Sequence, residues 1–322
     1  VAGSILESRG ECLGRRRLTP APLAALRAAL LTTLLATLVA LCMVAPARAD
    51  GDGDGLVWTL RGEHNTVYIA GSVHLLRPDG APLPAPLERA YRDAESLLME
   101  IDLDDLDPTA GARFTTTHAV YGADRSLRDV IGEARWQKTA DLAQQIGLPL
   151  PVIERFEPWA VALLLSVAQL QQAGLSVEAG VEQQLARRAS ADAKPIAGLE
   201  TMEQQLSLFD GLDEAAQIRF LELTLDDAAA IAAQLDSIDA AWRAGREAEL
   251  AQLLRDEYAR FPELYELLVD RRNAAWIEPL RGLLARREDV LVVVGALHLV
   301  GDGSVIDLLR RAGLEPTRLR AR

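Results

Sequence analysis

Two histidines occupy the same frame near opposite ends of this sequence. Leu291–Val300 reads LVVVGALHLV and Val67–Leu76 reads VYIAGSVHLL. In each, a short apolar run meets a glycine, and a histidine follows three positions on, at His298 and His74. Such a run reads as a buried strand. Gly-x-x-His then places an imidazole just past the strand's carboxyl end, where open α/β sheets hold their ligands. If the two strands are neighbours, two imidazoles point into one crevice. A lone histidine after a strand is more often satisfied by hydrogen bonds than by a metal, but packing alone does not demand the same polar residue at the same place in both copies. The other two histidines lack the frame. His64 falls in Gly62-Glu63-His64-Asn65, which reads as a hairpin loop, and His118 in TTTHAVYG; both are expected to be exposed or structural.

Further landmarks join the paired motifs: Glu100 in LLMEID, Glu157-Pro158-Trp159, the run GLETMEQQL that contains Glu200, and Arg272-Asn273 in DRRN. Together they resemble the TraB/GumN family, which is related to the Tiki proteases. The resemblance runs from about Leu56 to Arg320. It implies an exported metal-dependent hydrolase, most simply a peptidase, with His74, Glu100 and His298 as metal ligands. Two imidazoles and one carboxylate leave positions open for water and substrate, as metal-assisted hydrolysis requires. Nitrogen–oxygen ligation without sulfur suits manganese, cobalt, zinc or ferrous iron, and the resemblance favours manganese or cobalt among them.

Four more residues are candidates for the catalytic set. Glu182 and Glu200 each follow a Gly-apolar step, at a helix start and a strand end, and either can supply a ligand or a general base; a solvated or capping carboxylate is the commoner fate of a glutamate. Arg272 can hold a substrate carboxylate or a tetrahedral oxyanion, or form a partly buried ion pair with one of these glutamates. Asn273 can orient a ligand or donate to the oxyanion. A metal-free hydrolase is a second reading, with one histidine as general base held by Glu100. Ser72 lies inside the first motif, but no G-x-S-x-G elbow surrounds it. The competing class is a non-catalytic protein that binds haem, metal or a regulatory peptide, as some relatives of the family do.

The chain of 322 residues is 49% hydrophobic, with a mean hydropathy of +0.06. That is ample for a large core. Arg15-Arg16-Arg17, the apolar run Ala28–Val44 and Ala47-Arg48-Ala49 follow the grammar of a secretory signal peptide with cleavage before Asp50. The expected location is therefore periplasmic or extracellular, with no stable membrane span after processing; the adjacent arginines hint at twin-arginine export, which Leu18-Thr19 fits only in part. Both cysteines, Cys12 and Cys42, lie in this leader, so the remainder offers no disulfide, thiolate nucleophile or cysteine-held metal. Leu41 stands before Cys42 where lipid attachment wants a small residue. The formal charge is −13, and the part beyond residue 49, without the leader's six arginines and two glutamates, is more acidic still. Such a surface repels nucleic acid and anionic lipid.

The expected fold is α/β (or α+β): a central mixed sheet formed by both ends of the chain, with a large helical insertion. Residues 50–322 then make one domain, with a helical subdomain over about 107–288. Strands are expected at Leu56–Arg61, Thr66–Gly71, Ser96–Leu103, Lys194–Leu199, Val290–Val294 and Glu315–Leu319. The helices include Ala160–Ala173 behind Pro158, Val181–Ala191, a continuous stretch from Leu206 to Leu268 broken at Phe261-Pro262, and one from Val305 capped by Ser304. DGDGDG at Asp50–Gly55 lacks the closing glutamate of a calcium loop and reads as a linker.

Overall fold

The middle of the sheet is made where the two Gly-x-x-His strands lie side by side. In the computed structural model, residues 53–104, 108–226 and 231–321 are described; the expected leader at 1–49 and the acidic positions Asp105 and Asp107 fall outside them. The strands are β1 Val57–Arg61, β2 Thr66–Ser72, β3 Ser96–Ile101, β4 Ile196–Glu200, β5 Val290–Gly295 and β6 Thr317–Arg318. They form one sheet in the order β4-β3-β5-β2-β1-β6. The pairs β2–β5, β5–β3 and β3–β4 are parallel, whereas β1 is antiparallel to both β2 and β6. The mixed sheet thus draws its strands from both ends of the chain.

Every residue of β2 and β5 is buried. Parallel strands covered on both faces need continuous apolar runs rather than alternation, and VLVVV in β5 is such a run. β2 and β5 pair with Val67 opposite Val290 and Ser72 opposite Gly295. The two motif copies are therefore offset by one residue, and Gly71 faces Val294 rather than its counterpart. The chain beyond β5 crosses Gly71 closely: a Cβ there would lie 3.0 Å from the Cα of Ala296.

The helices between β3 and β5 do not form one separate body. Phe114, Trp136, Trp159, Leu163, Phe209 and Phe261 belong to a helical core of their own. Val181, Leu185, Trp242, Trp276 and Leu280 instead pack into the core of the sheet, and β4 is itself a strand of that sheet. The expected stretch from Leu206 to Leu268 is divided more often than Phe261-Pro262 alone requires. Helices span Met202–Asp210, Glu214–Asp226, Ile231–Arg243 and Glu247–Tyr258. One of the breaks falls at Gly245, whose φ of +68° is a left-handed conformation that glycine adopts without strain. Among the described residues no helix is long and apolar enough to cross a membrane.

Candidate active site

Four parallel strands end at one edge of the sheet, and each brings one candidate side chain there. Glu100 sits at the end of β3 and Glu200 ends β4; His74 follows β2 by two residues, and His298 closes a one-turn 3-10 helix, Ala296–His298, directly after β5. Gly295 lies at their meeting point. A Cβ on it would stand 3.3 Å from Glu100 Oε1, 3.5 Å from His74 Nε2 and 3.5 Å from His298 Cδ2. The glycine of the motif therefore leaves room for two imidazoles and a carboxylate to close over one backbone atom.

His74 is oriented by Glu182. Helix Val181–Ala191 begins against the His74 loop: Val181 N–H donates to Val73 C=O at 3.1 Å, and a Cβ on Gly180 would come within 2.0 Å of His74 C=O. That close approach places Glu182 Oε1 2.7 Å from His74 Nδ1. Ser72 Oγ donates to the same oxygen, so Ser72 is bound to a carboxylate rather than to a histidine and is not a nucleophile activated by His74. Burial by itself lowers the His74 pKa, but the Glu182 carboxylate, with help from Glu100, outweighs it and raises the value to about 9.

His298 is fixed from the other side. Asn273 Nδ2 donates to Gly303 C=O at 3.0 Å, which turns Asn273 Oδ1 toward the ring, 2.7 Å from His298 Nδ1. Nδ1 therefore carries the proton, and Nε2 presents its lone pair inward, 3.2 Å from Arg272 Nη1. Burial and the Arg272 cation push the His298 pKa down to about 3. The ring also lies against Trp276, with centroids 4.7 Å apart.

Arg272, 3% exposed, is the hub of the charges. Its Nη2 donates to Glu100 Oε2 at 2.6 Å and to Glu200 Oε2 at 2.9 Å, and Nε reaches both Glu200 oxygens at 3.1 Å. The ion pair expected with Glu182 or Glu200 is made with Glu200, and Glu100 adds a second. Burial alone raises the Glu100 pKa, but Arg272, the two imidazoles and the Gly295 N–H, which donates to Oε1 at 2.7 Å, hold it well below the carboxylate range. Glu200 is further held by Trp276 Nε1 at 3.0 Å and Gln205 Nε2 at 3.1 Å. It anchors Arg272 and is neither a solvated carboxylate nor a free base.

The family can be read at this point. The model of the TraB/PrgY/gumN family matches residues 56–318. The chain belongs to that family. It is 29% identical over 252 residues to the uncharacterized protein YbaP of Shigella flexneri, covering 78% of this chain and 90% of the relative. It is equally identical over 243 residues to the uncharacterized protein YbaP of Escherichia coli K12, covering 76% and 87%. An uncharacterized protein of Treponema pallidum is 22% identical over 273 residues, covering 80% of this chain and 81% of its own. No solved structure matches.

In this TraB/PrgY/gumN chain all seven sequence candidates, His74, Glu100, Glu182, Glu200, Arg272, Asn273 and His298, come together at the sheet edge. His64 is exposed in its hairpin loop, and His118, on an exposed helix end, stacks on Phe114. Gln205, Trp276 and the Gly295 N–H were not among the candidates. Trp276 lies four residues after Arg272, on the same helix face, a spacing legible in advance. Gln205 is polar yet 7% exposed, within a run already singled out, and only the fold shows that it bridges Glu100 and Glu200.

The donor set suits a divalent ion in chemistry. Both imidazoles have Nδ1 held by an oxygen acceptor, the arrangement common to metal-bound histidines, but only His74 Nε2 is thereby left for a metal, since His298 Nε2 faces Arg272 Nη1 at 3.2 Å. Glu100, by contrast, spends both oxygens on Gly295, Arg272 and Gln205. Among the described residues no three His, Cys, Asp or Glu side chains stand as a metal-holding cluster.

Proposed function

We propose that this chain is a divalent-metal-dependent hydrolase acting on peptide bonds. The observation that carries the reading is the convergence of His74 Nε2 and the His298 ring on Gly295, each ring fixed through Nδ1 by an oxygen acceptor. His74 and His298 would hold the ion, with Glu100 as the third donor in competition with its ion pair to Arg272. A bound divalent ion supplies a water of lowered pKa and polarises the scissile carbonyl. The chain's own residues do the rest. Glu182 and Asn273 hold the rings, and Arg272, clamped by Glu200 and stacked on Trp276 with its guanidinium 4.8 Å from the ring centre, holds Glu100 beside them through Nη2. The cleft at His74 and Glu100 has about 30 Å³ of free room. That suits a water or an ion.

The test pairs metal content with peptide hydrolysis in the purified protein. His74→Ala and His298→Ala are each expected to lose bound metal and to abolish cleavage while circular dichroism stays that of the parent. Full metal and full activity in both variants would make the histidines structural and end the reading. Metal binding by a parent that cleaves no peptide would hand the site to a binding function.

A further inference from the structure

A second cleft lies among the helices and shares no residue with the sheet-edge site. It has about 310 Å³ of room and is lined by Arg135, Lys138, Arg219, Glu222 and Arg260, with two leucines between them. Clefts of this size take small ligands. Three stretches of chain supply the charges. Arg135 and Lys138 stand on helix Glu133–Gln145, Arg219 and Glu222 on helix Glu214–Asp226, and Arg260 falls between helices Glu247–Tyr258 and Pro262–Tyr265. The spacing of three within each helical pair puts both side chains on one face. The whole chain has 47 Asp and Glu against 34 Lys and Arg, so four cations around one acid run against its composition. Two of the guanidinium groups are fixed with donors to spare. Arg135 donates from Nη1 to Ile131 C=O at 3.2 Å and from Nε to Glu222. That sets its plane and leaves Nη2 without a protein acceptor among the described residues. Arg219 lies over the buried ring of Phe261, 4.9 Å from its centre, a cation–π contact that orients it. Glu263 Oε1 stands 3.7 Å from Arg219 Nη2, beyond hydrogen-bond reach. Lys138 and Arg260 have partners of their own and add positive charge to the walls.

We infer that this cleft binds a small compound carrying at least two oxyanion groups, phosphate or carboxylate, with Arg135 Nη2 and the Arg219 fork donating to its oxygens. A guanidinium plane matches one oxyanion group at a time, so two fixed forks call for more than one such group. A fork set in place before binding also loses little freedom when the ligand arrives. Glu222, the one acid of the lining, competes with the ligand for Arg135. The site is independent of the hydrolase reading and stands or falls without it.

The experiment is calorimetric titration of the purified protein with inorganic pyrophosphate, citrate, inorganic phosphate and chloride at constant ionic strength. Pyrophosphate or citrate is expected to bind roughly tenfold more tightly than phosphate, with chloride weaker still; the better of the two tells a phosphate ligand from a carboxylate one. Arg219→Gln, at an exposed position that folding tolerates, should weaken that binding roughly tenfold. Arg281→Gln, an exposed arginine outside the cleft, should leave it unchanged. Glu222→Gln removes the competing carboxylate and should tighten it. His74→Ala should bind the anion as the parent does, which separates this cleft from any metal at the sheet edge that pyrophosphate or citrate would chelate. Pyrophosphate and citrate binding no better than phosphate, equal losses in Arg219→Gln and Arg281→Gln, weaker binding in Glu222→Gln, or binding lost in His74→Ala each overturns the site.

Discussion

A single missing Cβ organises the site. Gly295 brings its N–H to Glu100 and leaves its side-chain position to two imidazoles and a carboxylate oxygen. In Gly295→Ala the added carbon crowds Glu100 Oε1 at 3.3 Å and fills the remaining space against both rings, in ordinary contact at 3.5 Å. We expect a modest stability loss, about 1 kcal/mol, with a much larger loss of metal affinity, read by denaturant melts and metal titration on one preparation. Arg272 gives the opposite balance. Arg272→Ala leaves Glu100 and Glu200 buried without a counter-charge and should cost about 3–5 kcal/mol. Arg272→Lys keeps the charge but replaces a planar fork with a point charge. It should fold, bind metal nearly as the parent does, and turn over poorly; turnover equal to the parent would show that the fork has no part in the chemistry.

At the level of elements, the site depends on a helix meeting a loop. Helix Val181–Ala191 can approach the His74 loop only because Gly180 has no side chain; a Cβ there would lie 2.0 Å from His74 C=O, and backbone cannot yield as the tip of a side chain can. Gly180→Ala should therefore cost about 3 kcal/mol and draw Glu182 away from His74. The sensitive readout is the His74 imidazole resonance, whose pKa should drop from about 9 toward the ordinary value. An unshifted resonance in a folded Gly180→Ala protein would mean that Glu182 is not what holds His74. Helix Arg271–Leu283 plays the matching part on the other side, with Arg272, Asn273 and Trp276 all buried on the sheet. A π turn at Glu266–Asp270 runs directly into it, a kind of irregularity that recurs near functional sites.

Across the whole molecule, the two imidazoles pull stability in opposite directions along the pH scale. His74 has a folded pKa above its ordinary 6.5, so protein stripped of metal holds its contribution fully below about 6.5 and loses it as pH rises through about 9. His298 has a folded pKa near 3; below 6.5 the unfolded chain takes a proton that the folded chain refuses, so stability falls as pH drops from 6.5 toward 3. Glu100, held low, adds to the loss on the acid side. Stability of the stripped protein should thus peak near pH 6.5, measured as the urea midpoint against pH. His74→Ala should flatten the alkaline limb and leave the acid limb standing; an alkaline limb that survives in His74→Ala assigns it to other groups.

The sequence alone picked out the strands that meet at the site and the seven candidate side chains gathered at their ends. The reason is that a strand buried on both faces must be apolar throughout, so a glycine and a histidine at its end stand out against LVVV. Sequence could not give the one-residue offset between the motif copies, because register follows from packing across β2 and β5. Nor could it tell a ligand from a holder. Glu182, Glu200 and Asn273 share residue types with ligands and bases, yet their partners lie far away along the chain: Glu182 reaches Ser72 and His74, Glu200 reaches Arg272 and Trp276, and Asn273 reaches His298 and Gly303. Only the insertion of β5 between β2 and β3 decided that Glu182 and Asn273 hold the rings, that Glu200 holds Arg272, and that Glu100 is shared between an arginine and a glycine N–H.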